Sequence, residues 1–154
     1  MRVILQRSLA SSVSVDSKVV GKINHGLVIL VGFTKNDSEK EIDYLVNKVI
    51  NLRIFDDEDG VMNRSLLDVR GSVLSISQFT LYANTKKGGR RPSYIDALNG
   101  DKAASLYDLW NQKLRECGIN VETGIFGADM MVSIENDGPV TILLEKEGDK
   151  ENEK

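Results

Sequence analysis

Three runs rich in β-branched residues and Leu crowd the first 33 positions: residues 2–6 (RVILQ), 13–23 (VSVDSKVVGKI) and 26–33 (GLVILVGF). Side chains branched at Cβ lose little in an extended backbone and pack well on a pleated surface, so these runs read as strands. Asp16 and Ser17 supply a candidate hairpin turn and Gly26 a chain reversal. Connections this short suit antiparallel neighbours, because a parallel return needs a long crossover.

The hydrophobic period changes after Ser38. Ile42, Leu45, Val46, Val49 and Ile50 fall at i, i+3, i+4, i+7 and i+8, one apolar stripe of a helix over 38–52. Ser38 with Glu41 three residues on forms a capping-box signal at its start. A second helix is expected from Asp101 to Cys117, with Leu106, Trp110 and Leu114 on its stripe, Cys117 as a core thiol and Gly118 as its C-terminal cap. Residues 71–83 (GSVLSISQFTLYA) alternate as one long strand, and strands at 129–135 and 140–145 close the chain across an Asn-Asp-Gly-Pro turn. The acidic segment 55–60 (FDDEDG) lacks the twelve-residue spacing and closing Glu of a calcium loop, and reads as a solvated turn. The expected fold class is α+β, a curved antiparallel or mixed, barrel-like sheet with two covering helices. It forms one domain over 1–145, followed by a charged tail at 146–154 expected to be disordered.

At 154 residues the chain can bury one substantial core and is too short for two full domains. Its single Cys, Cys117, cannot form an internal disulfide, which points to a reducing compartment. No apolar run approaches the roughly 20 residues of a membrane span, and MRVILQRSLA reads into a strand instead of a cleavable signal. A cytoplasmic protein with no membrane partner is expected. The net charge of -3 argues against gripping nucleic acid over the whole surface. Any such contact is confined to Lys86, Lys87, Arg90 and Arg91, four cations in six residues around Gly88 and Gly89, which permit close approach of a phosphate backbone.

The chain contains one histidine, so a Ser/His/Asp triad or a Cys/His dyad would have to use His25, and a two-His metal site is unavailable. Its place one residue before Gly26 suits a turn residue better. No metal and no cofactor are expected. Ser77, Gln78, Phe79 and Thr80 put two hydroxyls and an amide near a strand end, directly before the basic loop. A nucleophilic Ser77 or Thr80 would need a base, and none lies close in sequence. Met130 and Met131 suit core or pocket lining. Pro139 stands where a strand would begin donating N–H groups, and because only about 5% of X-Pro bonds are cis, physics alone favours a trans Gly138-Pro139 bond.

SQFTLYA at 77–83, FGADMMVSIENDGPVTI at 126–142 and the opening RVILQR with VDSKVVGKINHGLVILVG together resemble the D-aminoacyl-tRNA deacylase family, small chiral-proofreading hydrolases also known as D-Tyr-tRNA deacylases. The resemblance runs over residues 1–145 in order, and its specificity rests on two motifs, SQFT and NDGPVT. It implies a carboxylic ester hydrolase acting on the acceptor end of D-aminoacyl-tRNA, releasing free tRNA and the D-amino acid. It also implies a homodimer whose active site lies at the subunit interface, where SQFT of one chain meets the Gly-Pro turn of the other. The Gly138-Pro139 bond would then be cis, with carbonyls that exclude an L side chain. Achiral glycine would pass, making Gly-tRNA a substrate. Ser77, Gln78, Phe79 and Thr80 would line the catalytic pocket, Met130 would help wall it, and Arg7 would brace the Gly-Pro turn.

The resemblance makes sense of the scarce histidine. An aminoacyl ester is already activated and sits beside a ribose hydroxyl, so polarisation by the Phe79 and Thr80 N–H groups, with help from the substrate 2′-OH, can suffice. Two departures from the family pattern stand out: the segment from Phe79 to Pro92 is one residue longer than the family spacing, and Met131 stands beside Met130. The competing readings are a non-catalytic nucleic-acid-binding module on the same fold and a small-ester hydrolase with Thr80 or Ser77 as nucleophile.

Overall fold

The computed structural model describes residues 1–86 and 88–148, so Lys87 and the expected tail beyond residue 148 lie outside the described residues. The chain opens with β1 (Arg2–Ser8), β2 (Ser11–Val15), β3 (Lys18–Ile23) and β4 (Gly26–Gly32). Asp16 and Ser17 make the expected tight turn between β2 and β3, both with positive φ. Next come α1 (Glu39–Asn51), the short strands β5 (Phe55–Asp56) and β6 (Met62–Arg64), α2 (Leu66–Val69) and β7 (Ser72–Ser77). After a 3-10 turn at Phe79–Tyr82 follow α3 (Gly100–Glu116), β8 (Val121–Thr123), β9 (Met131–Ser133) and β10 (Asn136–Glu145).

A five-stranded mixed sheet in the order β10-β1-β4-β7-β8 forms the centre. β1 runs antiparallel to both β10 and β4, whereas β4, β7 and β8 run parallel. The crossover from β4 to β7 contains α1, and that from β7 to β8 contains α3. A second sheet, β3-β2-β9, is antiparallel, and β5 and β6 pair as a hairpin.

The period of two explains how these layers stack. From β4, Leu27, Ile29 and Val31 join a core with Val3, Leu5, Ile42, Leu45, Val49, Trp110 and Leu114, beneath α1 and α3. Its alternate residue Val28 faces the other way, with Val13, Ile23, Leu74 and Ile76, and Leu30 packs against that second cluster. With both faces covered, β4 reads as an unbroken apolar run. The capping box of α1 forms as the sequence predicts: the Glu41 carboxylate accepts from the Ser38 N–H and hydroxyl, both at 2.7 Å.

Three local expectations are corrected. Residues 71–83 are not one strand: the ladder ends at Ser77 and the backbone turns into the 3-10 segment. The partner strand β4 runs out at Gly32 and β8 pairs only with Val73–Ser75, so residues beyond Gln78 have no ladder to join. The Asn-Asp-Gly-Pro segment does not join a hairpin, because β9 pairs with β2 and β10 with β1. It lies within β10 as a bulge. Cys117 is exposed, since the helix ends there and Gly118, at φ +84°, turns the chain away before the apolar stripe can continue. At the other end of the chain, Lys146 exchanges backbone hydrogen bonds with Met1, through Lys146 N–H to the Met1 carbonyl and the Met1 ammonium to the Lys146 carbonyl.

Candidate active site

The parallel pair β4 and β7 ends side by side, with Val31 opposite Ser77. Ligands of mixed sheets collect beyond the carboxyl ends of such strands, where loops diverge. Here a cavity of about 460 Å³ lies against Val31, Ile76, Ser77, Gln78 and Phe79, a volume suited to a small ligand. Its other walls come from the N-terminal turn of α3, including Leu98, Asn99 and Ala103, and from the segment Phe126–Met130. Asp129 is the one ionisable side chain on the described lining.

The wall near Met130 depends on a nearby absence. A Cβ added to Gly124 would run into Met130 Sδ, so glycine there leaves that side chain the place it occupies. Behind the cavity, the Tyr107 ring stands 5.9 Å from Phe126 and its hydroxyl donates to the Ser75 carbonyl at 2.6 Å. Burial pushes the Tyr107 phenol up, which keeps it a neutral donor.

At the rim, Gln78 is the last residue tied to the sheet, its N–H donating to Val31 at 2.7 Å. Its side-chain amide donates to the Thr80 hydroxyl at 2.5 Å. Leu81 N–H donates to Gln78 and Ala83 N–H to Thr80, whereas the Phe79 and Thr80 N–H groups have no hydrogen-bond acceptor among the described residues. The opening N–H groups of a helical turn have no partner within it. Thus the backbone offers two adjacent free donors beside the cavity. No imidazole competes for the role: His25 is exposed at the far end of β4, next to Ser72. At the rise of a strand, Ser77 is roughly 16 Å further along.

The Gly-Pro element sits elsewhere on the same chain. Gln6 pairs with Thr141 and Ser8 with Asn136, so Asp137, Gly138, Pro139 and Val140 bulge out opposite Arg7 alone. The Gly138-Pro139 bond is cis, as the resemblance implies and against the expectation from physics alone. Gly138 has φ +128°, and a Cβ there would meet Val140 Cγ2 at 2.9 Å and Arg7 Nη2 at 3.1 Å. Arg7 is 8% exposed, and its Nε donates to the Asp137 carbonyl at 3.1 Å. Its Nη1 donates to the Ile54 carbonyl at 3.0 Å and to Asp56 at 3.2 Å. The Asn136 side chain closes the bulge, accepting from Val140 N–H and donating to the Thr141 hydroxyl.

Of the residues singled out in the sequence, Ser77, Gln78, Phe79 and Met130 meet at one cavity, with Thr80 next to it along the turn. Arg7, Gly138 and Pro139 form a separate group, and the two prolyl neighbours Gly138 and Pro139 are exposed. The basic loop is pinned at its base by paired backbone bonds between Asn84 and Ser93 and by an edge-to-face contact of Tyr94 on Phe79. Lys86, Arg90 and Arg91 are exposed and join no ion pair among the described residues. Lys87 lies outside those residues. Sequence reasoning missed the opposite wall, Leu98, Asn99, Gly100 and Ala103 with Phe126–Asp129, because no local pattern marks residues that meet the strand end only through the fold. No helix among the described residues is long and apolar enough to cross a membrane.

The sequence pattern of the D-Tyr-tRNA(Tyr) deacylase family matches residues 4–145. The chain is 57% identical over 145 residues to D-aminoacyl-tRNA deacylases of Bacillus thuringiensis (strain Al Hakam) and Bacillus cereus (strain B4264), spanning 94% of this chain and 99% of each relative. Among solved structures it is similar to the c-Myc DNA Unwinding Element Binding Protein, at TM-score 0.88 and 35% identity, covering 96% of this chain and 100% of that one. A probable eukaryotic D-amino acid tRNA deacylase shares the fold at TM-score 0.79 and 20% identity, over 93% of this chain and 97% of that one.

Proposed function

The chain belongs to the D-Tyr-tRNA(Tyr) deacylase family, and from that membership we propose that it is a chiral proofreader that cleaves D-aminoacyl-tRNA and refuses its L counterpart. Its reaction is the hydrolysis of an aminoacyl-tRNA ester, with the charged tRNA as substrate and free tRNA as product. The observation that carries the mechanism is the pair of acceptor-free N–H groups at Phe79 and Thr80 beside the cavity.

Water attacks the ester carbonyl and gives up one proton to the neighbouring ribose 2′-OH, while the carbonyl oxygen, now negative, receives hydrogen bonds from the Phe79 and Thr80 N–H groups. Collapse breaks the bond to the ribose 3′-oxygen, which takes the proton that the 2′-OH relays from that water, so that free tRNA and the amino acid leave. A preorganised donor of this type supplies roughly 3 to 4 kcal/mol of transition-state stabilisation. No side-chain nucleophile is required. Ser77 and Gln78 shape the pocket, and Met130 contributes its wall.

Selectivity requires a second copy of the chain. The exposed Gly138 and Pro139 of one subunit enter the cavity of the other, and their carbonyls occupy the space an L side chain would need. Glycine lacks that side chain, so Gly-tRNA is cleaved as well. The homodimer is supported by apolar residues left in solvent on β3, β9 and β10, where Val19, Met131 and Leu143 are each more than half exposed. Lys86, Lys87, Arg90 and Arg91 receive the acceptor-stem phosphates, in the cytoplasm where charged tRNA resides.

Deacylation of matched D- and L-aminoacyl-tRNA pairs tests the reading. Rapid turnover of the D form with the L form spared is expected, and equal rates would refute chiral selection. A non-catalytic nucleic-acid-binding role has one observation in its favour, the likeness to a DNA unwinding element binding protein. It requires nucleic-acid binding without ester turnover in the same preparation.

A further inference from the structure

The 3-10 turn that presents the Phe79 and Thr80 N–H groups is too short to hold its own shape. It has four residues, Phe79–Tyr82, and 3-10 hydrogen bonds are poorer in geometry than those of an α-helix. Its entrance is fixed by the sheet, through Gln78 N–H on the Val31 carbonyl. Gly32 lets the turn lie close, since a Cβ there would meet the Gln78 carbonyl at 2.7 Å. Its exit is fixed from β1. Arg2 donates from Nη1 to the Leu81 carbonyl at 2.8 Å, and its guanidinium lies 4.4 Å from the centroid of the Tyr82 ring, which is buried. Arg2 Nε is spent on Glu145 at 3.0 Å, which orients the fork.

We propose that Arg2 is a positioning residue of the reaction: by clamping Leu81 and Tyr82 it fixes the turn so that the Phe79 and Thr80 N–H groups converge on the ester oxygen. The role differs from that of Arg7, at the other end of β1, which holds the Gly-Pro bulge. It touches no substrate. The catalytic consequence rests on the oxyanion reading above, whereas the clamp itself does not.

Two readouts separate the clamp from its consequence: hydrogen exchange at Leu81 and Ala83, whose N–H groups close the turn onto Gln78 and Thr80, and steady-state turnover of D-Tyr-tRNA. Arg2→Met keeps an apolar stem over Tyr82 and removes the donors. Exchange at Leu81 and Ala83 is expected to accelerate about tenfold and kcat to fall about tenfold, the effect of one such constraint lost, with KM unchanged and the β1–β4 amides still protected. Arg2→Lys restores part of both, since an ammonium can reach the Leu81 carbonyl but cannot also fork onto Glu145. Glu145→Gln, which keeps an oxygen acceptor for Arg2 Nε but loses the charge, is expected to change both in the same direction as Arg2→Lys and by less. The lysine variant also carries the comparison if the methionine variant fails to fold.

Unchanged exchange at Leu81 and Ala83 in Arg2→Met would overturn the clamp. So would a fall in kcat accompanied by loss of protection throughout β1 and β4, which marks general destabilisation. Faster exchange at the turn with an unchanged kcat would leave the clamp as a structural contact and overturn Arg2 as a positioning residue, while absence of D-Tyr-tRNA turnover in the parent protein would refute the deacylase reading itself, so the two fail separately.

Discussion

The Arg7 guanidinium bridges two carbonyls that are far apart in sequence, Asp137 at 3.1 Å and Ile54 at 3.0 Å. The carboxylates of Asp56 and Asp137 complete its surroundings at 3.2 and 3.4 Å. One side chain thus joins the β5 end of the acidic hairpin to the residue before Gly138. The acidic segment, a solvated turn by sequence, acquires a structural task at Asp56.

Replacing Arg7 with Met leaves both carbonyls without a donor. Charge-assisted bonds contribute about 1.5 to 3 kcal/mol each, but the half-exposed carboxylates are screened by water, so the expected net loss is about 2 to 3 kcal/mol. Urea unfolding measures it. The ratio of D- to L-aminoacyl-tRNA turnover should fall in the same variant, and a wild-type midpoint with an unchanged ratio would show that Arg7 braces nothing.

Thr80→Ala removes a hydroxyl and keeps the backbone N–H. Most of the rate should survive, with a loss below about tenfold, or 1.4 kcal/mol. Intact-mass measurement during turnover should find no acyl adduct on the chain. An adduct at Thr80 or Ser77 would establish covalent catalysis and displace the backbone mechanism.

Lys86 and Arg90 stand on a loop whose base is fixed and whose cations have no internal partner among the described residues. If each meets one phosphate, Lys86→Ala and Arg90→Ala should each lower the slope of log binding constant against log salt by about 0.7 to 0.9. Binding of deacylated tRNA over a salt series gives the slope directly. A residue whose loss leaves it unaltered makes no phosphate contact.

Acid stability should depend on Glu41. Burial pushes its carboxyl up, but hydrogen bonds from the Ser38 hydroxyl and from backbone N–H groups outweigh that effect and hold it below the ordinary carboxylate range. A folded-state value below the unfolded one stabilises the protein above the unfolded pKa of about 4.3, and the benefit disappears as pH falls through the folded value. Glu41→Gln should therefore cost about 1 kcal/mol at pH 7, the weight of a helix cap, and flatten the stability decline below about pH 4. An acid limb identical to that of the parent would exclude the capping carboxylate as its source.

The helices were legible because their signals are local. The stripe from Ile42 to Ile50 and the Ser38 and Glu41 cap lie within one or two turns, and they formed as written. The second helix kept Trp110 and Leu114 in the core, yet Cys117, next on the same side, fell outside it because helix and covering layer end together. The alternation after Ser75 misled for a related reason. A strand needs a neighbour, and β4 stops at Gly32.

The sequence by itself determined the strand-rich opening, the two main helices and the two motifs at 77–80 and 136–141, since each is set by side-chain period, turn chemistry or a short run of residues. Tertiary structure decided the rest. It ended β7 so that Phe79 and Thr80 have N–H groups without an acceptor among the described residues, brought Ala103 and Phe126 to the same cavity, left His25 remote, and set Arg2 and Arg7, at opposite ends of one strand, to hold the turn and the Gly-Pro bulge. A cavity and a clamp join residues tens of positions apart, and only the stacking of layers fixes which of them meet.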